Sequence, residues 1–255
     1  MGIFHAVILG IIEGITEFLP VSSTAHLILA SKAFSLADSS FLKTFEISIQ
    51  VGAVLAVVVL YWNRLIKDWV LNRKIVAAFI PTAIVGGLLY PFIKGFLLGS
   101  SAVSLYAMFL GGIFIILFEL WYKEEAVVKK NLEDISYPQA LLIGCFQSVS
   151  VIPGVSRAAA SILGGLSLGL SRRTIVEFSF LLAIPTIIGA AFFDLSQNIS
   201  SFSGNEVMIL LVGTIVSFLV AMAAIRFFIK FIKTNTFIIF GVYRIIISFV
   251  FWLTA

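Results

Sequence analysis

Charge is what this sequence has least of. Asp, Glu, Lys and Arg make up 12% of its 255 residues, where soluble domains carry about a quarter. That shortage excludes an ordinary soluble domain. Cysteine is almost absent, and the single Cys145 excludes an intramolecular disulfide. No HExxH zinc motif, Walker loop or EF-hand loop occurs, which removes the common zinc-protease, P-loop and calcium-sensor chemistries. No Lys or Arg precedes the first apolar segment, and Glu13 and Glu17 interrupt it, so no cleavable signal peptide is expected. The net charge of +4 reads as a membrane-topology signal, and no nucleic-acid partner is expected.

What is there is apolar length. Hydrophobic residues are 60% of the chain, and mean hydropathy is +1.12. Runs rich in Phe, Leu, Ile and Val suit helices rather than alternating barrel strands. The reading is an all-α polytopic membrane protein, forming a single membrane domain over residues 1–255. Six segments are long enough to cross: 41–62, 74–94, 102–122, 173–195, 207–230 and 236–255. Two stretches differ, 3–35 and 136–169. Each is a short apolar helix, a proline-centred polar break, and a second short helix, with Pro20 and Pro153-Gly154 at the breaks. Irregular backbone at membrane depth must be buried in protein or line a wet cavity, so both stretches read as re-entrant hairpins.

Lys and Arg support this. With six crossings, one side holds Arg64, Lys67, Arg73, Lys74, Lys123, Lys129, Lys130, Arg172, Arg173, Arg226, Lys230 and Lys233. The other holds Lys32, Lys43 and Lys94, and the loop 196–206 has neither type. The basic side is therefore expected inside, with the first hairpin entering from outside and the second from the cytoplasm.

The two hairpins resemble each other. Gly10, Glu13 and Pro20 match Gly144, Gln147 and Pro153, and Glu46-x-Ser48 matches Glu177-x-Ser179. A nearly constant offset implies a duplicated unit, residues 1–122 and 136–255. Each unit has an odd number of crossings, so the second lies inverted relative to the first. Such architectures place their site at the midplane where broken helices meet.

The chemistry sits in EGITEFLPVSSTAH (13–26) and PGVSR (153–157). Glu13 and Glu17 are four apart and share a helix face. Like charges at membrane depth need a divalent cation, Arg157 or a shared proton to hold them; oxygen ligands suit Mg²⁺ or Ca²⁺. A structural salt bridge or a protonated glutamate would serve as well. Ser22, Ser23 and Thr24 stand where a helix restarts, as caps beside a natural anion seat. Ser23 and His26 are three apart, a spacing that allows nucleophile and base and equally allows a cap beside a packed histidine. His5 has no such company and reads as structural. Ser156 caps the opposed helix, and Arg157 adds a fixed cation suited to phosphate. Together these fit phosphoryl transfer on a lipid-linked phosphate. Of the other intramembrane polar residues, Glu46 and Glu177 could bond the opposed hairpin or equally serve in catalysis, Gln50, Gln147 and Arg244 could buttress the site, and Glu119 could snorkel.

These motifs resemble those of the undecaprenyl-diphosphatases, the bacitracin-resistance membrane phosphatases. EGITEFLPVSSTAH is similar to that family's glutamate-rich motif running into PVSSTGH, and PGVSRAAAS to its PGxSRSxxT; KTFEISIQVGAVLAVVVLYW and EFSFLLAIP also resemble it. Ala25 stands in place of a Gly, Ala158 of a Ser and Ser161 of a Thr; the lost hydroxyl at 158 removes one phosphate contact from the expected set. The resemblance implies hydrolysis of undecaprenyl diphosphate to the monophosphate in the bacterial plasma membrane, with a divalent cation and a pocket open to the outside. It implies Glu13 and Glu17 as metal or catalytic carboxylates, Ser23 and His26 as nucleophile and base in either order, and Ser22, Thr24, Ser156 and Arg157 on the diphosphate. A transporter or scramblase of polyprenyl phosphate or another anion is the alternative, suggested by the inverted repeat alone. A homodimer is compatible with either.

Overall fold

A computed structural model describes residues 1–92, 101–123, 131–198 and 203–254. Lys94, Lys129, Lys130, Ala255 and part of the 74–94 segment and of the 196–206 loop lie outside the described residues. Among those described there are eleven α-helices and no strand. They are α1 (Ile3–Thr16), α2 (Ser23–Ala33), α3 (Ser40–Leu60), α4 (Trp62–Lys67), α5 (Trp69–Phe92), α6 (Ser101–Trp121), α7 (Tyr137–Ser148), α8 (Arg157–Ser167), α9 (Arg172–Asn198), α10 (Gly204–Phe231) and α11 (Ile238–Thr254). Five of them, α3, α5, α6, α9 and α10, are long and apolar enough to cross a membrane. The sixth expected span, α11, has 17 residues and packs along α6. The stretch 63–73, which separates the expected spans 41–62 and 74–94, is occupied by α4 and the start of α5.

The broken pairs α1–α2 and α7–α8 have arms of 14, 11, 12 and 11 residues. At about 1.5 Å per residue none reaches across a hydrocarbon layer of about 30 Å. The first break runs from Glu17 to Ser22; the second contains a short 3₁₀ turn, Val149–Val151, then Pro153 and Gly154. Gly154 has φ +95°, and a Cβ there would lie 2.2 Å from the Ser104 carbonyl of α6. That turn accepts glycine for both reasons.

Each hairpin leans on a span from the other half of the chain. Helix α1 packs against α10, while α7 packs against α5; α3 and α9 pack on each other and on α10 and α5 respectively. Small residues allow the approach. A Cβ at Gly10 would come 2.7 Å from the Gly213 carbonyl, and one at Gly144 would come 2.0 Å from that of Ala78. The halves interlock, and the two breaks are thereby brought together.

Ion pairs gather the basic segments at one end. Arg172 pairs with Glu119, whose carboxylate also accepts the Phe237 N–H at 3.0 Å. Arg64 reaches Glu177 at 3.5 Å and Glu133 at 3.4 Å, and Arg173 reaches Glu177 at 2.8 Å. This corrects two expectations. Glu119 does not snorkel: it is buried, because a guanidinium and a backbone N–H satisfy it inside the protein. Neither Glu46 nor Glu177 bonds the opposed hairpin; Glu46, on α3, accepts from Ser31 in the hairpin of its own half at 3.0 Å, and Glu177 holds the basic end together.

Candidate active site

Helix α1 stops at Thr16, and Glu17 is its C-cap. The chain then turns through Pro20, whose ring cannot continue the helix, and restarts at Ser23. Ser22 is the N-cap of α2 with φ 70°, and Ser156 is the N-cap of α8 with φ 74°. A non-glycine residue in this left-handed region is uncommon and marks a constrained site. Both breaks therefore carry the same local device, a serine at positive φ just before a helix. Ser156 Oγ accepts the Ala159 N–H at 3.2 Å, whereas Ser22 makes no side-chain cap bond.

The two N-termini open on one cavity of about 220 Å³. Glu17, Ser22, Ser23 and Thr24 line it from the first break, and Ser156 and Arg157 from the second. Glu17 is the junction. Its Oε1 accepts from Arg157 Nη2 at 2.7 Å, and its Oε2 accepts from Ser23 Oγ at 2.5 Å. Arg157 Nη1 donates onward to the Ser179 carbonyl at 3.2 Å. A helix N-terminus presents unpaired N–H groups and the positive end of the dipole. Two such ends and a guanidinium facing one cavity make an anion seat.

Two expected residues lie off the cavity wall. Glu13, one turn back from Glu17, is fully buried, and neither of its carboxylate oxygens has a hydrogen-bond partner. Arg157, one of its expected partners, goes to Glu17. His26 is not bonded to Ser23. Its Nδ1 meets the Ser22 carbonyl at 2.7 Å, its Nε2 meets the Tyr243 hydroxyl at 2.8 Å, and the two rings stack at 5.5 Å. The expected Ser23–His26 pairing is thus replaced by Ser23–Glu17. Three residues along a helix start place the side chains on one flank, but the break folds Glu17 back over Ser23.

The far wall holds residues the sequence reading passed over, Thr82, Ser150 and Thr186, together with Gln50. Gln147 Nε2 donates to Thr82 Oγ1 at 3.0 Å and to Thr186 Oγ1 at 3.2 Å. A signal existed: the tripeptide Ile-Pro-Thr occurs at 80–82 in α5 and again at 184–186 in α9. Tyr243 carried no such mark.

A family described as Bacitracin resistance protein BacA matches residues 6–250. The chain is 48% identical to a protein of Aquifex aeolicus named undecaprenyl-diphosphatase, over 97% of this chain and 96% of that one. It is 47% identical to a protein of the same name from Wolinella succinogenes, over 98% and 97%. A third of that name, from Sulfurihydrogenibium sp., is 45% identical over 99% of each chain.

Proposed function

The chain belongs to the bacitracin resistance protein BacA family, and from that premise we propose how its cavity works. It is a multi-pass membrane phosphatase that hydrolyses undecaprenyl diphosphate to undecaprenyl phosphate and orthophosphate. The single observation that carries the mechanism is the bond from Ser23 Oγ to Glu17 Oε2, 2.5 Å long. Ser23 attacks the terminal phosphorus and passes its proton to Glu17. An Oγ–P bond forms, and the bond from that phosphorus to the bridging oxygen breaks, releasing undecaprenyl phosphate. Water then attacks the phosphoserine, and orthophosphate leaves as Ser23 recovers its proton. Arg157, Ser22, Thr24, Ser156 and the two helix N-termini hold the phosphate oxygens, where charge spreads in the transition state. His26, held by Tyr243 and the Ser22 carbonyl, orients the start of α2 rather than attacking. Transport alone has no use for a serine hydroxyl directed at a carboxylate.

A divalent cation fits the residues present. Glu13 has a buried carboxylate with both oxygens unpartnered, and Glu17 is one turn away. No group of three or more His, Cys, Asp or Glu forms among the described residues. Mg²⁺ commonly takes one or two carboxylates plus substrate phosphate oxygens. Glu13 and Glu17 would hold Mg²⁺ or Ca²⁺, and the ion would supply positive charge to the diphosphate. The duplicated, inverted origin of the two halves is supported by their reciprocal packing, α1 on α10 and α7 on α5. A cytoplasmic position for the basic end is supported by the charge bias of the loops, and the bacterial inner membrane with an outward-opening cavity is proposed from the family resemblance.

Phosphate release from an isoprenyl diphosphate by detergent-purified protein tests the reading. Release is expected with added Mg²⁺ or Ca²⁺, loss with EDTA, and recovery on metal return. Glu13→Gln should raise the metal concentration required. Release that is indifferent to EDTA overturns the cation assignment, and no release under any metal overturns the activity.

A further inference from the structure

Arg244 on α11 is the largest fully buried side chain among the described residues. A guanidinium has five N–H donors, and here all five have acceptors. Nε donates to the Met108 carbonyl at 3.0 Å, Nη1 to those of Pro20 at 3.2 Å and Val155 at 3.1 Å, and Nη2 to those of Ala107 at 3.1 Å and Gly154 at 2.9 Å. Not one acceptor is a carboxylate. Pro20 belongs to the first break, Gly154 and Val155 to the second, and Ala107 and Met108 to α6. A single nitrogen, Nη1, bridges the two breaks.

Resting on the phosphatase reading, we propose that Arg244 is a positioning residue for the reaction: it sets the spacing of the two breaks and so holds Glu17 and Ser23 in register with Arg157 and Ser156. Its five hydrogen bonds all go to backbone carbonyls, so it acts through the backbone of the turns. The residues it ties are one to three positions from the groups that meet across the cavity. Glu17 is three before Pro20, Ser22 is two after it, and Ser156 and Arg157 follow Val155 directly. Lysine cannot replace it, since an ammonium has three donors and no planar fork. The neighbouring helix is shaped around it. A Cβ at Gly111 would lie 2.3 Å from Nη2 and 2.9 Å from Cζ. Gly111 is absent from the lining of the catalytic cavity, so a substitution there disturbs the guanidinium without replacing any cavity side chain.

The test uses purified full-length protein as wild type, Gly111→Ala, Arg244→Lys and the double variant. Two quantities are read: turnover of an isoprenyl diphosphate, and the rise in melting temperature caused by inorganic pyrophosphate with Mg²⁺. Each single variant should lose at least about tenfold in turnover, as a misplaced site does. Each should also lose most of the pyrophosphate-induced rise while melting within a few degrees of wild type without ligand. The double variant should be no worse than Arg244→Lys, because lysine lacks the Cζ and Nη2 atoms that an alanine Cβ meets. If Arg244→Lys fails to fold, Gly111→Ala decides alone. Full turnover with a full pyrophosphate response in Gly111→Ala overturns the proposal. So does a turnover loss matched by lost folded protein with the pyrophosphate response intact, which makes Arg244 a residue of the fold only. A wild-type protein that responds to pyrophosphate but releases no phosphate defeats the hydrolase reading instead, and the melting response then judges Arg244.

Discussion

Ser23, Glu17 and Arg157 form a chain of contacts, and the proposed reaction gives Ser23 the attack, Glu17 its proton and Arg157 the phosphate oxygens. On the proposed mechanism Ser23→Ala should be the most damaging change, lowering kcat by about 10³-fold or more, as loss of an attacking group does elsewhere. Glu17→Gln should cost about 10²–10⁴-fold, the usual range for a positioned base, and it also weakens the ion pair to Arg157. Tyr243→Phe removes the partner of His26 Nε2 but no cavity group, so its loss should stay below that of Ser23→Ala by an order of magnitude or more. Single-turnover kinetics with acid quench separate these cases, since a phosphoserine should be trapped in wild type and absent in Ser23→Ala. A trapped phosphohistidine would return the attacking role to His26. At this scale the sequence named Glu17, Ser23 and Arg157 from their types and setting. It paired Ser23 with His26 as nucleophile and base in either order, because spacing along a helix says nothing about a carboxylate folded back across a proline break.

The helices are held apart or together by small residues, and the consequences differ along one element. Gly144→Ala puts a Cβ 2.0 Å from the Ala78 carbonyl, a backbone atom that cannot swing aside. It should destabilise by about 1–3 kcal/mol, the usual cost of overpacking. Gly86→Ala and Gly87→Ala in α5 meet nothing within 4 Å and should not destabilise, since alanine is the better helix former. Thermal unfolding in detergent, followed by tryptophan fluorescence, ranks the three; equal effects would mean that α7 does not bear on α5 at Gly144. The Glu119–Arg172 pair is a second test of packing. Glu119→Ala leaves Arg172 and the Phe237 N–H without that acceptor and should cost about 3–5 kcal/mol, as broken buried pairs do.

For the whole molecule the question is which end faces the cell interior. In a Cys145→Ser background, Asp38→Cys should react with a membrane-impermeant maleimide in intact cells, and Lys67→Cys only after permeabilisation. Both positions are exposed, and the reverse pattern would invert the assigned topology. The sequence by itself determined the membrane class, five of the six expected spans and the two broken stretches, and the motifs whose residues line the cavity. Those follow from composition, proline chemistry and the absence of water in a bilayer, which are local or additive. Only the tertiary structure decided who meets whom. The break at Pro20 delivers Glu17 to Ser23 and sends His26 to Tyr243, some 217 residues away in sequence. The interlocked halves bring Arg157 to Glu17 across 140 residues and place Arg244 behind both turns. Such pairings arise because buried donors and acceptors must be satisfied inside the protein, and many different partners meet that demand equally well until the helices have packed.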